Sequence, residues 1–307
     1  ISNQGLEIVG RSDRAQDVDY FEINIPVQKL LTINFQPTLK ATMQILSGKD
    51  AIGQLDDQDK SWETMLTAGR YILRVMDVND TYRITIRSNE ILSKKWELEP
   101  NGDIKSASLI ESNMVINGSL SSPDRDWFKL VTDERGILSV GLSGESIQEA
   151  KLTLHSMVGG AIEPKVLLSL NSTIFSIDAF PGTYYLRIEA NTVFGKYQLT
   201  PVLVTNISHS AVDRILGANE TLTVQFDWIP DQQANLRIVK AEQVINIRPM
   251  IHQTGGHYVS QLKMADNLSV VKGNLIVDLS MPNYPELINS FLIEDSIYID
   301  TLPPKIE

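Results

Sequence analysis

Phe180-Pro181-Gly182-Thr183-Tyr184-Tyr185-Leu186-Arg187-Ile188 repeats the pattern of Ala68-Gly69-Arg70-Tyr71-Ile72-Leu73-Arg74-Val75, and this pair decides the fold. Each is a turn glycine followed by aromatic, β-branched and aliphatic residues in period-two alternation, the pattern of a half-buried strand. In the later copy Tyr184, Leu186 and Ile188 share one face, which is predicted to be core, and Tyr185 and Arg187 share the other. Upstream, Asp17-Val18-Asp19-Tyr20-Phe21-Glu22-Ile23 recurs as Asp124-Arg125-Asp126-Trp127-Phe128-Lys129-Leu130. Downstream, Tyr82-Arg83-Ile84-Thr85-Ile86 recurs as Tyr197-Gln198-Leu199-Thr200. The chain therefore carries one unit twice, each copy of roughly eight strands. The second copy holds an insertion, placed between Gly144 and Pro164, where Gly159-Gly160 breaks any strand.

Beyond residue 201 the repeat is lost. Leu222-Thr223-Val224-Gln225-Phe226, Asn235-Leu236-Arg237-Ile238-Val239, Tyr258-Val259-Ser260-Gln261-Leu262, Gly273-Asn274-Leu275-Ile276-Val277-Asp278-Leu279 and Ser296-Ile297-Tyr298-Ile299-Asp300 read as strands of an immunoglobulin-like sandwich. The expected architecture is all-β: two jelly-roll-like β-sandwiches over 1–92 and 93–203, then an Ig-like β-sandwich over 204–307. Pro303-Pro304 reads as the start of a stiff inter-domain linker.

Composition narrows the function. With 307 residues and 42% apolar side chains the chain has ample material for more than one core and is not disordered. A net charge of −11 disfavours nucleic acid, whose phosphates call for clustered Lys and Arg, and suits cation binding. The absence of cysteine excludes disulfides, thiolate metal sites and a cysteine nucleophile. No run is long and apolar enough for membrane insertion, and a start at Ile1 reads as a piece of a longer multidomain chain, monomeric within it.

One short region has the chemistry of a hard cation. Glu97, Glu99, Asn101 and Asp103 occupy alternate positions, so in an extended segment they share a face, and Pro100 forbids a helix through them. Asp124 and Asp126 follow in an Asp-x-Asp loop. Ca²⁺ takes about six to eight oxygen ligands in a flexible shell, which such a gathering can supply. Taken singly, each half is also the composition of an ordinary solvated turn.

Glu97-Leu98-Glu99-Pro100-Asn101-Gly102-Asp103, Asn117-Gly118-Ser119-Leu120, Asp124-Arg125-Asp126-Trp127-Phe128, Gly136-Ile137-Leu138-Ser139-Val140, Leu152-Thr153-Leu154 and Pro181-Gly182-Thr183-Tyr184-Tyr185-Leu186-Arg187 together resemble the bacterial pre-peptidase C-terminal domain, over residues 96–202. The resemblance implies a jelly-roll-like sandwich of the kind found after catalytic domains of secreted proteases, in collagen-binding segments and in large adhesins. It also implies calcium where the Glu-x-Glu-Pro-Asn segment meets the Asp-x-Asp loop, with Glu97, Glu99, Asn101, Asp103, Asp124 and Asp126 as ligands. The first copy keeps Asp17 and Asp19 but has no Glu-Pro-Asn segment in residues 1–16. Either that segment lies upstream of Ile1 or this copy is a metal-free spacer. The third segment looks like the immunoglobulin-like repeats of giant bacterial surface proteins.

No catalytic arrangement is legible. His155, His209, His252 and His257 fall into no zinc-binding spacing, Gly141-Leu142-Ser143-Gly144 lacks the second glycine of a nucleophile elbow, and Asp56-Asp57-Gln58-Asp59 reads as a solvated turn. The expected function is non-enzymatic: adhesion to an extracellular peptide, collagen-like ligand or host surface through Tyr185 and Arg187, at the bacterial cell surface or outside the cell. The alternative is a set of accessory or spacer domains of an exported protease, with calcium only stiffening the junctions.

Overall fold

The computed structural model describes residues 5–11, 17–77, 80–89, 95–120, 125–144, 150–156, 161–162, 165–169, 172–189, 195–241, 243–264 and 269–301. Most of the described residues lie in strands and none in an α-helix, so the fold is all-β, as the alternation requires. No helix among them is long and apolar enough to cross a membrane. The chain divides into two compact units, one of residues Ile1–Val131, Leu142–Glu163 and Thr183–Leu199, the other of Thr132–Gly141, Pro164–Gly182 and Thr200–Glu307.

In the first unit, the first copy of the repeat is a two-sheet sandwich. One sheet runs Leu6–Arg11, Thr81–Asn89, Lys29–Pro37, Ser61–Leu66, Leu98–Glu99; the other runs Asp19–Ile25, Gly69–Met76, Thr42–Ser47, Asp50–Asp56. Both sheets feed one core containing Ile33, Phe35, Met43, Leu73, Val75 and Ile84. Tyr71, Leu73 and Val75 are buried while Ile72 and Arg74 between them are only partly covered, the alternation expected of the strand. Each such aliphatic or aromatic burial contributes about 1.5–3 kcal/mol, which is what makes the register costly to slip. The second copy places Ser108–Ile110, Arg125–Thr132, Gly182–Glu189, Lys151–Ser156 and Ala161–Ile162 in one sheet, over Phe128, Leu130, Leu154, Leu186 and Ile188.

The segment between the copies is itself pleated into both. Lys95–Trp96 runs parallel to Ile116–Leu120, with Lys95 opposite Ile116 and Trp96 opposite Asn117. Leu98–Glu99 runs parallel to Ser61–Leu66, with Leu98 opposite Met65 and Glu99 opposite Leu66. Five consecutive residues thus add an edge strand first to one copy and then to the other. Trp62 stitches the same region from the side, donating from Nε1 to Ser119 Oγ at 2.7 Å.

The second unit has its own core of Val204, Phe226, Trp228, Leu236, Tyr258, Val277 and Phe291. Phe226 stacks on Tyr258 at 5.3 Å and meets Phe291 edge-on at 5.7 Å, arrangements worth about 0.5–1.5 kcal/mol each beyond area burial. Residues 132–141 and 164–182 belong to the repeat by sequence but group here, with 200–307. Gly136–Gly144, Lys165–Ser169 and Ser172–Ala179 share a sheet with Gly195–His209 and Thr221–Asp227, and Ile137 packs on the apolar core. Two buried polar contacts add to this: Ser139 Oγ donates to Ser290 O at 3.0 Å and Asn289 Nδ2 to Thr200 O at 2.9 Å.

Candidate metal centre

The alternation predicted for the junction is present as burial. Glu97, Glu99 and Asn101 are each 0% exposed, whereas Leu98 and Pro100 between them are partly covered and Gly102 and Asp103 beyond them are exposed. Backbone bonds hold the segment in place: Glu97 N donates to Asn117 O at 2.9 Å, Thr67 N to Glu99 O at 2.9 Å and Trp127 N to Asn101 O at 3.0 Å. The last of these brings the strand carrying Asp126 against the Asn101 turn. Ser108 helps on the opposite side, accepting from Leu98 N at 3.1 Å and donating to Leu98 O at 2.9 Å.

Three carboxylates converge. One oxygen from each of Glu97, Glu99 and Asp126 lies within 4.8 Å of the others, and all three residues are fully buried. Glu97 Oε1 accepts from Ser119 N at 2.6 Å and Glu99 Oε2 from Asn101 N at 3.0 Å. The Tyr197 hydroxyl meets both Glu97 Oε2 and Asp126 Oδ2, the latter at 2.7 Å. A hydroxyl has one proton to give, so it can donate to only one of these two carboxylates at a time. The Asn101 carboxamide lies near enough to Glu97 to favour its charged form, yet neither its oxygen nor its nitrogen makes a hydrogen bond of normal geometry.

Burial sets the electrostatics. It pushes the Glu97 carboxyl up to about 7, against the opposing help of the Tyr197 hydroxyl, the Ser119 amide, Asp126 and Asn101. It also raises the Tyr197 phenol well above its ordinary value, and the nearby Asp126 and Glu97 charges add to the rise. Three ionised carboxylates this close and this dry repel strongly and are poorly solvated; protons or a cation must offset the charge. The donors are all hard oxygens, the set that suits Ca²⁺ better than a soft or borderline metal.

Not every residue named from sequence joins this cluster. Asp103 stands apart, because its carboxylate closes its own turn, accepting from Lys105 N at 2.7 Å and Ser106 N at 2.9 Å. Those two amides and the Ser106 hydroxyl hold its proton affinity below the ordinary value. Alternation ends at Asn101, and with it the shared face. Asp124 lies outside the described residues. In the first copy Asp17 is exposed, and Asp19 accepts a hydrogen bond from the Tyr82 hydroxyl.

Tyr197 is the site residue the sequence reading missed. Its signal was visible as the recurrence of a tyrosine at the head of the closing strand in both copies, Tyr82 and Tyr197. Gly118 belongs with it: an added Cβ there would lie 2.2 Å from the Tyr197 ring, so only glycine lets the ring reach the carboxylates. On the outer face of the second copy, Tyr185 is paired in register with His155 and Arg187 with Thr153. Arg187 lies over the Trp127 ring at 5.4 Å and bonds Glu189 at 3.0 Å, and Trp127 in turn meets His155 at 5.1 Å.

No family model matches the chain. A β-ketoacyl-[acyl-carrier-protein] synthase III of Baumannia cicadellinicola subsp. Homalodisca coagulata is 30% identical over 141 residues, 46% of this chain and 40% of that protein. The chain therefore spans well under half the length of that relative. Among solved structures, the pre-peptidase C-terminal domain of a collagenase from Bacillus anthracis is similar at 18% identity and a TM-score of 0.28, covering 36% of this chain and 99% of that one. A β-glucuronidase from Bifidobacterium dentium is similar at 11% identity and a TM-score of 0.21, covering 90% of this chain and 38% of that one.

Proposed function

We propose that the chain is a non-catalytic, calcium-binding region of a large secreted or surface-attached bacterial protein, and that it attaches that protein to an extracellular peptide or collagen-like ligand. In this reading residues 1–92 and 93–203 are tandem pre-peptidase C-terminal-like sandwiches, and 204–307 is an immunoglobulin-like one. The observation that carries the calcium assignment is the buried convergence of Glu97, Glu99 and Asp126 beside the Asn101 carboxamide oxygen, which has no hydrogen-bond partner. Carboxylates that bind through both oxygens, with water, would complete a calcium shell from this set. Weak oxygen-donor sites fill at extracellular calcium levels, which supports a location outside the cell.

Calcium at this point would do mechanical work. Glu97 directly follows the edge strand Lys95–Trp96 and bonds to Asn117 O of the second copy, whereas Glu99 lies on the edge strand paired to the first, so an ion bound by both would fix the segment that joins the copies. The test is a calorimetric calcium titration of the intact chain and of Glu99→Gln and Asp126→Asn, with thermal melts in calcium and in chelator. Saturable binding, a calcium-raised melting temperature and loss of both in the variants are expected, since a cation bound only to the folded state stabilises by mass action. A silent titration with no shift in melting would overturn the assignment.

Attachment is assigned to the outer face of Gly182–Glu189, where Arg187 lies over Trp127 and Tyr185 lies opposite His155. An aromatic beside a guanidinium suits an extended peptide. The second reading, a spacer or accessory region of an exported protease, is favoured by one observation: the Arg187 guanidinium is already engaged by Glu189 and Trp127. Binding of an immobilised collagen-like peptide, lost in Tyr185→Ala, separates the two; no binding at millimolar peptide favours the spacer.

A further inference from the structure

Two Asn-Gly dipeptides flank the carboxylate cluster, and the structure treats them in opposite ways. Asn117-Gly118 lies inside the strand Ile116–Leu120. Both ends of the Asn117 carboxamide are held: Nδ2 donates to Lys95 O at 3.0 Å and Oδ1 accepts from Gln198 Nε2 at 3.2 Å. Gly118 is pressed against the Tyr197 ring. Asn101-Gly102 lies in irregular backbone between strands. The Asn101 carboxamide is buried and neither end makes a hydrogen bond of normal geometry, so its contact with Glu97 offsets little of its desolvation cost. Gly102 is exposed, a Cβ there would meet nothing closer than Arg125 O at 3.8 Å, and no described residue accepts from its amide.

An asparagine side chain followed by glycine has an internal reaction open to it, because the glycine amide nitrogen can reach the carboxamide carbon without a side chain in the way. Three things restrain that reaction: hydrogen bonds on the carboxamide, hydrogen bonds on the glycine amide, and a backbone locked in a ladder. Asn117 has the first and the last. Asn101 lies outside any ladder and, among the described residues, has neither a well-formed hydrogen bond on its carboxamide nor one on the Gly102 amide, although its own backbone N and O are held by Glu99 and Trp127.

We propose that Asn101 is a spontaneous deamidation site that converts the three-carboxylate cluster into one of four. Gly102 N attacks Asn101 Cγ; the Gly102 N–Cγ bond forms, the Cγ–Nδ2 bond breaks, and the amide proton leaves with Nδ2 as ammonia. Water then opens the cyclic imide. Cleavage at Cγ–N leaves an aspartate at position 101, and cleavage at the main-chain carbonyl leaves an isoaspartate whose backbone runs through Cγ. The aspartate product adds a negative charge beside Glu97, and the isoaspartate product moves the carbonyl that accepts from Trp127 N. Only the consequence for cation binding rests on the calcium reading; the reaction itself does not.

The experiment incubates the intact chain with chelator at mildly alkaline pH and follows both dipeptides by peptide mapping, with mass and isoaspartate detection. Asn101 is expected to convert at least about tenfold faster than Asn117, and Gly102→Ala, which has room for its methyl, to slow conversion by a similar factor without changing the melting temperature. An Asn101 that stays intact while a free peptide of the same local sequence converts would overturn the proposal, as would equal rates at the two asparagines. A parallel incubation in saturating calcium separates the two readings. Slowing at Asn101 alone supports both. Unslowed conversion leaves the modification site standing and counts against calcium as the occupant.

Discussion

The Tyr82 hydroxyl donates to the Asp19 carboxylate, and in the second copy the Tyr197 hydroxyl meets the matching Asp126 together with Glu97. The match extends to register: Tyr82 lies opposite Gly10 and Tyr197 opposite Gly118, each ring resting on a glycine that leaves it room. The first copy thus keeps the tyrosine and aspartate half of the site, while its first sixteen residues contain no counterpart of Glu97-x-Glu99-Pro100-Asn101. Its Tyr82 phenol is raised above the ordinary value by burial first, then by Asp19 and more weakly by Asp17, as burial and two carboxylates raise Tyr197.

If that half-site is purely structural, Tyr82→Phe should destabilise the first copy by about 1.5–3 kcal/mol, the worth of a hydrogen bond to a charged group. The loss should be the same in calcium and in chelator. Urea unfolding of the variant in both conditions checks this, and a calcium-dependent loss would mean the first copy binds metal as well.

Gly118→Ala places a methyl 2.2 Å from the Tyr197 ring, and Gly10→Ala places one 2.1 Å from Tyr82. Both rings must move, at a cost of about 1–3 kcal/mol from overpacking. Only Gly118→Ala is expected to lower calcium affinity, because only there does the ring touch the cluster. Melting curves and calcium titrations of the two variants side by side give the comparison.

Glu99→Gln and Asp126→Asn should each reduce calcium affinity by at least about tenfold, equivalent to 1.4 kcal/mol of binding. Asp103→Asn should leave it unchanged, since that carboxylate serves its own turn with Lys105 and Ser106. An Asp103 variant as defective as the other two would show that the loop closes onto the ion when it binds.

Without a cation, Glu97 titrates at about 7 in the folded chain against an ordinary 4.5, so the folded state holds this proton more tightly than the unfolded state does. Its contribution is therefore fully present below pH 4.5 and is lost as pH rises through about 7. The melting temperature in chelator should fall across that window, and Glu97→Gln should flatten the fall. In calcium the trend should reverse, because the cation displaces the proton. A flat profile in chelator would show that the cluster is ionised without help.

Local pattern alone determined the all-β class, the core face of Gly182–Glu189 and the shared face of Glu97, Glu99 and Asn101, because period two assigns each side chain a face wherever the backbone stays extended, though not which face is buried. Pattern could not reach Asp103, where the chain leaves the extended state and a carboxylate is free to satisfy the nearest amides. Nor could it join Tyr197 to Glu97, a hundred residues apart, or place Lys95–Trp96 and Leu98–Glu99 as edge strands of two different copies. Those relations depend on which strand lies beside which, and that is set by packing and pairing across the whole unit. Three carboxylates become a candidate site only when the tertiary structure brings them within 4.8 Å of one another and strips away the water that would otherwise solvate their charge.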